Sequence, residues 1–260
     1  MIFYLSCTGN TLWAARELGL ATGERLIDMA DKANLETEYE LKADERLGFC
    51  FPVHGWRPPN IVRDFIGKLK IRVSESTFCY ALCTAGDNIG ETIDFFKKDL
   101  SAHGISLCSA WSLLMPESYV GLPFMDVDTA EKEKLKKDRA TELLDVYKQD
   151  VINRRCGCFN LHKGRWPRIN SRIIGWYFNN HMITDKPFRV TADKCLKCGK
   201  CAMACPVDNI VYDKNNLPTW RNNGSCLACF NCYHHCPTHA IEYGGRTKKK
   251  GQYYFEKSEK

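Results

Sequence analysis

FYLSCTGNTLW, residues 3–13, carries a short apolar run into a cluster of small hydroxyl residues and straight out into a helical pattern. Ile2 to Leu5 has the texture of a buried strand, and Leu12, Ala15, Arg16 and Leu18 recur at helical spacing. Between them Ser6, Thr8 and Thr11 supply hydroxyls and Gly9 opens the backbone, so the junction can wrap an anion at the helix N-terminus. The loop holds no lysine, unlike the nucleoside-triphosphate loop, and no Gly-x-Gly-x-x-Gly run for a dinucleotide. A phosphomonoester held by neutral donors of Ser6, Cys7, Thr8, Gly9, Asn10 and Thr11 is the ligand it points to. A plain helix cap followed by a turn is the bland alternative.

The rhythm set by this junction continues along the chain. Arg25–Asp28, Arg46–Val53, Thr77–Thr84 and Ile105–Met115 read as further strands. Helices are predicted after Pro58-Pro59, where proline suits a first turn, over Gly90–His103, and over Thr129–Arg155 with Asp128 as its cap. Strands alternating with helices in this way argue for an open parallel sheet covered on both faces. Residues 156–187, rich in Arg, Asn and Trp, read as an irregular connection, and from about Phe188 the chain changes to short cysteine-rich turns.

With 260 residues, 44% hydrophobic and 26% charged, the composition is that of a globular protein with one sizeable core and a small second unit. No apolar stretch is long enough to span a bilayer, and Met1-Ile2-Phe3-Tyr4 has no signal-peptide character, so a cytoplasmic location is expected. The net charge of +6 gathers late. Arg246, Lys248, Lys249, Lys250, Lys257 and Lys260 against Glu256 and Glu259 make residues 244–260 a basic tail, read as a solvated end rather than a nucleic-acid arm.

Fifteen cysteines are the anomaly. Eight fall in an internal repeat: Cys195-x2-Cys198-x2-Cys201-x3-Cys205-Pro206 and Cys226-x2-Cys229-x2-Cys232-x3-Cys236-Pro237. The likeness runs on, since CPVDNIVY matches CPTHAIEY at Cys, Pro, Ile and Tyr, which implies two copies related by a pseudo-twofold axis. Three thiolates at two-residue intervals on a tight loop can hold three corners of a cubane, while the fourth reaches the other cluster. This predicts one [4Fe–4S] centre on Cys195, Cys198, Cys201 and Cys236 and a second on Cys205, Cys226, Cys229 and Cys232. Zinc would need only four ligands per ion, in two separated pairs, and would leave the third regular cysteine unexplained. His234, His235 and His239 are then surface or supporting residues, because the thiolate count is complete. Cys50, Cys79, Cys83 and Cys108 fall on strands as small buried hydrophobes, Cys7 matters through its backbone, and Cys156-Gly157-Cys158 is a weak candidate redox pair.

The repeat resembles the bacterial two-cluster ferredoxins over about 55 residues. The opening loop resembles the FMN-phosphate loop of flavodoxins, a likeness extending over roughly residues 1–150. It implies a doubly wound α/β sheet of order 2-1-3-4-5 in residues 1–155, joined through 156–187 to a small α+β ferredoxin domain in 188–243. It also implies that two further loops close over the flavin ring. Here these are Pro52-Val53-His54-Gly55-Trp56-Arg57-Pro58, with Trp56 as the stacking candidate, and Thr84-Ala85-Gly86-Asp87-Asn88-Ile89-Gly90. The second lacks the aromatic residue common in flavodoxins, so the outer face is left to the connection or the ferredoxin unit.

The whole chain resembles the flavodoxin–ferredoxin fusions of anaerobic bacteria and archaea. The resemblance implies an electron-transfer flavoprotein passing low-potential electrons between two clusters, FMN and an external redox protein, without nucleic acid. An FMN-dependent reductase fed by the clusters is the second reading, with His54 and Arg57 as its proton donors. A homodimer would complete the circuit if the centres of one chain lay too far apart.

Overall fold

Alternation along the strands decides where the layers go. In the computed structural model, which describes residues 1–42, 44–74 and 76–256, β1 (Ile2–Tyr4), β2 (Leu26–Asp28), β3 (Leu47–Pro52), β4 (Cys79–Ala85), β5 (Ser109–Leu114) and β6 (Phe159–Asn160) form one parallel sheet. Their order is β2-β1-β3-β4-β5-β6, with Phe3 opposite Ile27 and Phe49, Cys50 opposite Leu82, and Leu82 opposite Trp111. Successive side chains point to opposite faces. Phe3, Phe49, Phe51 and Ala81 therefore meet α2 (Asn60–Lys68) and α3 (Thr92–Ser101) through Phe65, Ile66 and Phe96. Ile2, Cys50, Tyr80, Leu82 and Trp111 meet α1 (Asn10–Thr22) and α4 (Ala130–Ile152) through Ala14, Leu18, Leu144 and Tyr147. Burial on both faces explains why β3 and β4 read as unbroken apolar runs. Each large aromatic side chain sealed in these layers contributes about 1.5–3 kcal/mol.

Two expectations change in detail. The cap of α4 is Thr129, whose hydroxyl accepts the Lys132 N–H; Asp128 instead pairs with Lys132 and Lys136. The connection is not irregular. It begins with β6, paired with β5 at Ala110–Phe159, and continues as a helical run through residues 167–182 that includes π-type turns at Asn170–Ile174 and Phe178–Met182.

The second unit is small and built from matched halves. β7 (Phe188–Val190) pairs antiparallel with β10 (Ile241–Tyr243), and β8 (Ile210–Tyr212) with β9 (Pro218–Trp220). Its core of Phe188, Ile210, Phe230, Tyr233, Ile241 and Tyr243 also takes in Val120 from the loop after β5, so the two units share packing.

Residues 244–256 are not a solvated end. Arg246 and Lys250 donate to the carbonyls of Gly121 and Val120, and the Phe255 N–H donates to Thr8 O at 2.8 Å. Lys257 and Lys260 of the predicted basic tail lie outside the described residues.

Candidate functional site

The two cysteine loops share one backbone device. Lys197 and Gly199 in the first, and Ala228 and Phe230 in the second, adopt left-handed conformations at equivalent positions, as do Asp208 and His239 after the two Cys-Pro pairs. Such turns aim N–H groups inward. The N–H of Lys197 donates to Cys195 Sγ and that of Ala228 to Cys226 Sγ, both at 3.4 Å. Those of Asn209 and Ala240 reach Cys205 and Cys236 Sγ at 3.2 Å. Hydrogen bonds of this kind stabilise thiolates and tune the clusters they hold.

The sulfurs group crosswise. Cys195, Cys198, Cys201 and Cys236 line one cavity, with Tyr212, Pro218 and Ile241. Burial, with smaller contributions from Cys236 and Cys195, pushes the Cys201 thiol up to about 11. Burial likewise raises Cys232 well above the ordinary thiol range, and the charges that add to it are those of Cys229, Cys226 and Cys205. Cys226 is pushed up to about 12 by burial, with Cys229 and Cys205 contributing. Metal binding at such thiols must displace protons, so it depends on pH. Among the described residues no three His, Cys, Asp or Glu side chains close on a single-ion position; the four thiols of the first set are distributed around a cavity wall instead.

Gly9 sits at φ 95° and opens α1. Among the described residues no acceptor faces the backbone N–H groups of Cys7, Thr8, Gly9, Asn10 and Thr11, which leaves five donors at the positive end of a 13-residue helix. The donor set fits a phosphate. The side chains are partly committed: Ser6 Oγ accepts the Leu12 N–H, Thr11 Oγ1 meets Thr84 Oγ1 at 2.8 Å, and Thr8 Oγ1 lies 3.4 Å from Ser118 Oγ. Asn10 donates to Pro116 O and accepts from Tyr253 Oη at 2.5 Å. Cys7, expected to act through its backbone, also brings its sulfur near Cys229; the coupling of the two thiols raises Cys7 and lowers Cys229.

The two ring loops are drawn to the same end of the sheet and roofed by protein. His54-Gly55-Trp56-Arg57 is a tight turn with reciprocal His54–Arg57 backbone bonds and both central residues left-handed, the type I′ pattern. A tryptophan at that position is strained by roughly 1–2 kcal/mol. A side chain on Gly55 would strike the Phe178 ring, one on Gly90 would strike Ser171 and Trp56, and one on Gly86 would strike Glu117. Residues 167–182 thus pack on both loops, through Phe178 against Gly55 and Ser171 against Gly90. Pro52, Val53 and Ala85 lie at the ends of β3 and β4 beside them, and Asp87 is exposed.

A cavity of about 530 Å³ lies elsewhere. Asp28, Asp31, Asn60 and Asp64 line it on one side, and Pro206, Asp208, Ser225 and Cys226 on the other. Of the predicted flavin residues only His54 reaches it. Burial lowers the His54 pKa to about 4.

His234, expected to be a surface or supporting residue, is fully buried and takes the supporting role: its Nδ1 accepts the Tyr253 N–H and its Nε2 donates to Ser118 O at 2.7 Å. Cys50, Cys79 and Cys83 are buried as expected, but Cys108 is half-buried, its thiol donating to Thr77 O, and lies near the exposed Cys156. Residues that sequence reading missed, among them Ser118, Ser171 and Tyr253, act across more than a hundred positions of chain and leave no local pattern.

Residues 189–243 match the family described as 4Fe-4S dicluster domain. A stretch of 49 residues is 35% identical to the archaeal-type glutamate synthase [NADPH] of Dehalococcoides mccartyi, covering 19% of this chain and 10% of that protein. No solved structure matches the chain. Among the described residues no helix is long and apolar enough to cross a membrane. The chain therefore carries a ferredoxin-like 4Fe-4S domain after a parallel α/β unit, an arrangement suited to electron transfer or oxidoreduction.

Proposed function

We propose that the chain is an electron-transfer iron–sulfur flavoprotein that joins two [4Fe–4S] clusters to FMN and serves an external redox protein. The observation that carries this reading is the crosswise grouping of eight thiols. Cys195, Cys198, Cys201 and Cys236 would hold one cluster, and Cys205, Cys226, Cys229 and Cys232 the other. The five unpaired N–H groups from Cys7 to Thr11 would hold the FMN phosphate, and the strand order β2-β1-β3-β4-β5 supports a flavodoxin-like reading of the first unit. When bound, each cluster exchanges one electron and the flavin one or two. The chain's own part is to hold the sulfurs with inward N–H groups, exclude water with the 167–182 roof, and bring Cys7 of the loop onto Cys229.

Protein purified without oxygen should contain about eight iron, eight sulfide and one flavin per chain. Thr8→Ala should weaken FMN more than riboflavin, because it removes a donor of about 1.5–3 kcal/mol from a charged phosphate. Equal losses for both flavins would refute the phosphate assignment. Half the expected iron would refute the second cluster.

A reductase of a small molecule is the second reading, and the 530 Å³ cavity beside Cys226 favours it. Its proton donors do not come out well. His54 is neutral at neutral pH, and the Arg57 guanidinium is held by Ser171 O at 2.7 Å and by the Phe95 ring.

A further inference from the structure

The roof helix has two faces, and only one is explained by what lies beneath it. Ser171, Gly175 and Asn179, four residues apart, are buried against the loops after β3 and β4. Ser171 Oγ accepts the Glu91 N–H, and Asn179 Nδ2 donates to His54 O. Gly175 lies so close to Gly55 O that any side chain would collide with it. This face clamps the helix in place.

The outer face is apolar and exposed. Trp166, Ile169, Ile173 and Trp176 recur at three- and four-residue spacing and are 57, 48, 66 and 50% exposed, with Tyr177 at 56%. A second row, Arg165, Arg168 and Arg172, runs beside them at the same spacing, and all three are exposed. Residues 156–184 contain Lys163 and these three arginines and no Asp or Glu. Arg172 reaches Glu91, so part of its charge is answered, while the row as a whole stays basic.

A second copy of this face is a poor occupant, since residues 156–184 offer no carboxylate to pair with the arginines of the other copy. A row of large apolar side chains flanked by arginines, with aromatic residues at both ends, is the composition of a helix lying in a membrane interface. Arginine matches lipid phosphates, and tryptophan and tyrosine settle at headgroup depth. We propose that the outer face of residues 165–177 docks on an anionic lipid bilayer, with the Ile169–Ile173–Trp176 row entering the headgroup boundary and the arginines on phosphates. The docking is peripheral and does not depend on the cofactor assignment. It would hold the loops around Trp56 and Gly90 one helix away from the membrane surface.

Flotation with vesicles of phosphatidylcholine, and of phosphatidylcholine with a quarter phosphatidylglycerol, tests this on the full chain. Binding is expected to the mixed vesicles and to fall with salt. Arg168→Gln should lower the partition coefficient about fivefold, the contribution of one basic residue near such a surface. Ile173→Glu should lower it at least tenfold, through lost apolar burial and added repulsion. Ile173 is exposed, so unchanged circular dichroism will show that the variant is folded. Three results would overturn the proposal: no binding to the mixed vesicles at low salt, binding that Ile173→Glu leaves intact, or retention on immobilised polyglutamate without vesicle binding. The last would mean an acidic protein partner.

Discussion

Cys7, in the loop after the first strand, and Cys229, in the second cysteine repeat, are buried close enough to each other for their thiols to couple, which holds Cys7 above the ordinary thiol range and Cys229 below it. The two residues belong to the two units, and their contact joins the loop with the unpaired N–H groups to one proposed cluster. In the loaded protein the Cys7 thiol would be placed to donate to a cluster sulfur, and such a donor stabilises the more negative, reduced state. Cys7→Ala should therefore lower the potential of the cluster on Cys205, Cys226, Cys229 and Cys232 by roughly 20–60 mV, the equivalent of one modest hydrogen bond. Electron paramagnetic resonance during a redox titration reads the two clusters separately; an unmoved potential would mean that the bond is absent from the loaded protein.

Crossed ligation makes a prediction that neighbouring positions alone would reverse. Cys205→Ala should damage the cluster of Cys226, Cys229 and Cys232 and spare that of Cys195, Cys198 and Cys201. Iron counting with the spectrum of the remaining cluster distinguishes the outcomes. Loss of the first cluster alone would reverse the assignment.

The folded-back tail should contribute to stability. Tyr253 Oη donates to Asn10 Oδ1, both residues are buried, and Phe255 stacks on Trp13 at 5.3 Å. Tyr253→Phe should cost about 1–2 kcal/mol by leaving a buried acceptor unpaired. Phe255→Ala should cost about 1–3 kcal/mol, because Phe255 is only partly buried. Urea denaturation measures both, and a change below a few tenths would mean that the tail does not hold the loop.

His54 should leave a mark on the acid limb of stability. Its pKa is about 4 in the fold against about 6.5 in the unfolded chain, so the unfolded state takes up the proton first. Stability falls as pH drops from about 6.5 to 4, by about 1–2 kcal/mol once its partial exposure is allowed for. His54→Gln, which cannot titrate, should flatten that interval in denaturation profiles taken across it. An unchanged slope would assign the acid sensitivity to other groups.

Much of this was legible because it is written over short distances. The strand-to-helix junction at residues 2–20, the apolar runs of β3 and β4, and the x2-x2-x3 cysteine spacing each depend on neighbours within a few turns, where periodicity and turn chemistry act. The same local logic failed at residues 156–187. There β6 is two residues long, and the helix mixes α and π turns around Ser171 and Gly175, so no clean period survives.

Residue order along the chain determined the sheet rhythm, the two matched cysteine loops and the small hydroxyl cluster ahead of α1. Tertiary packing alone decided that Cys7 meets Cys229, that Tyr253 closes on Asn10, that His234 is buried against Ser118, and that a basic apolar helix roofs Gly55 and Gly90. These pairings join residues tens to hundreds of positions apart. They form where apolar surfaces of separate elements exclude water together and leave each buried donor only the acceptor opposite it.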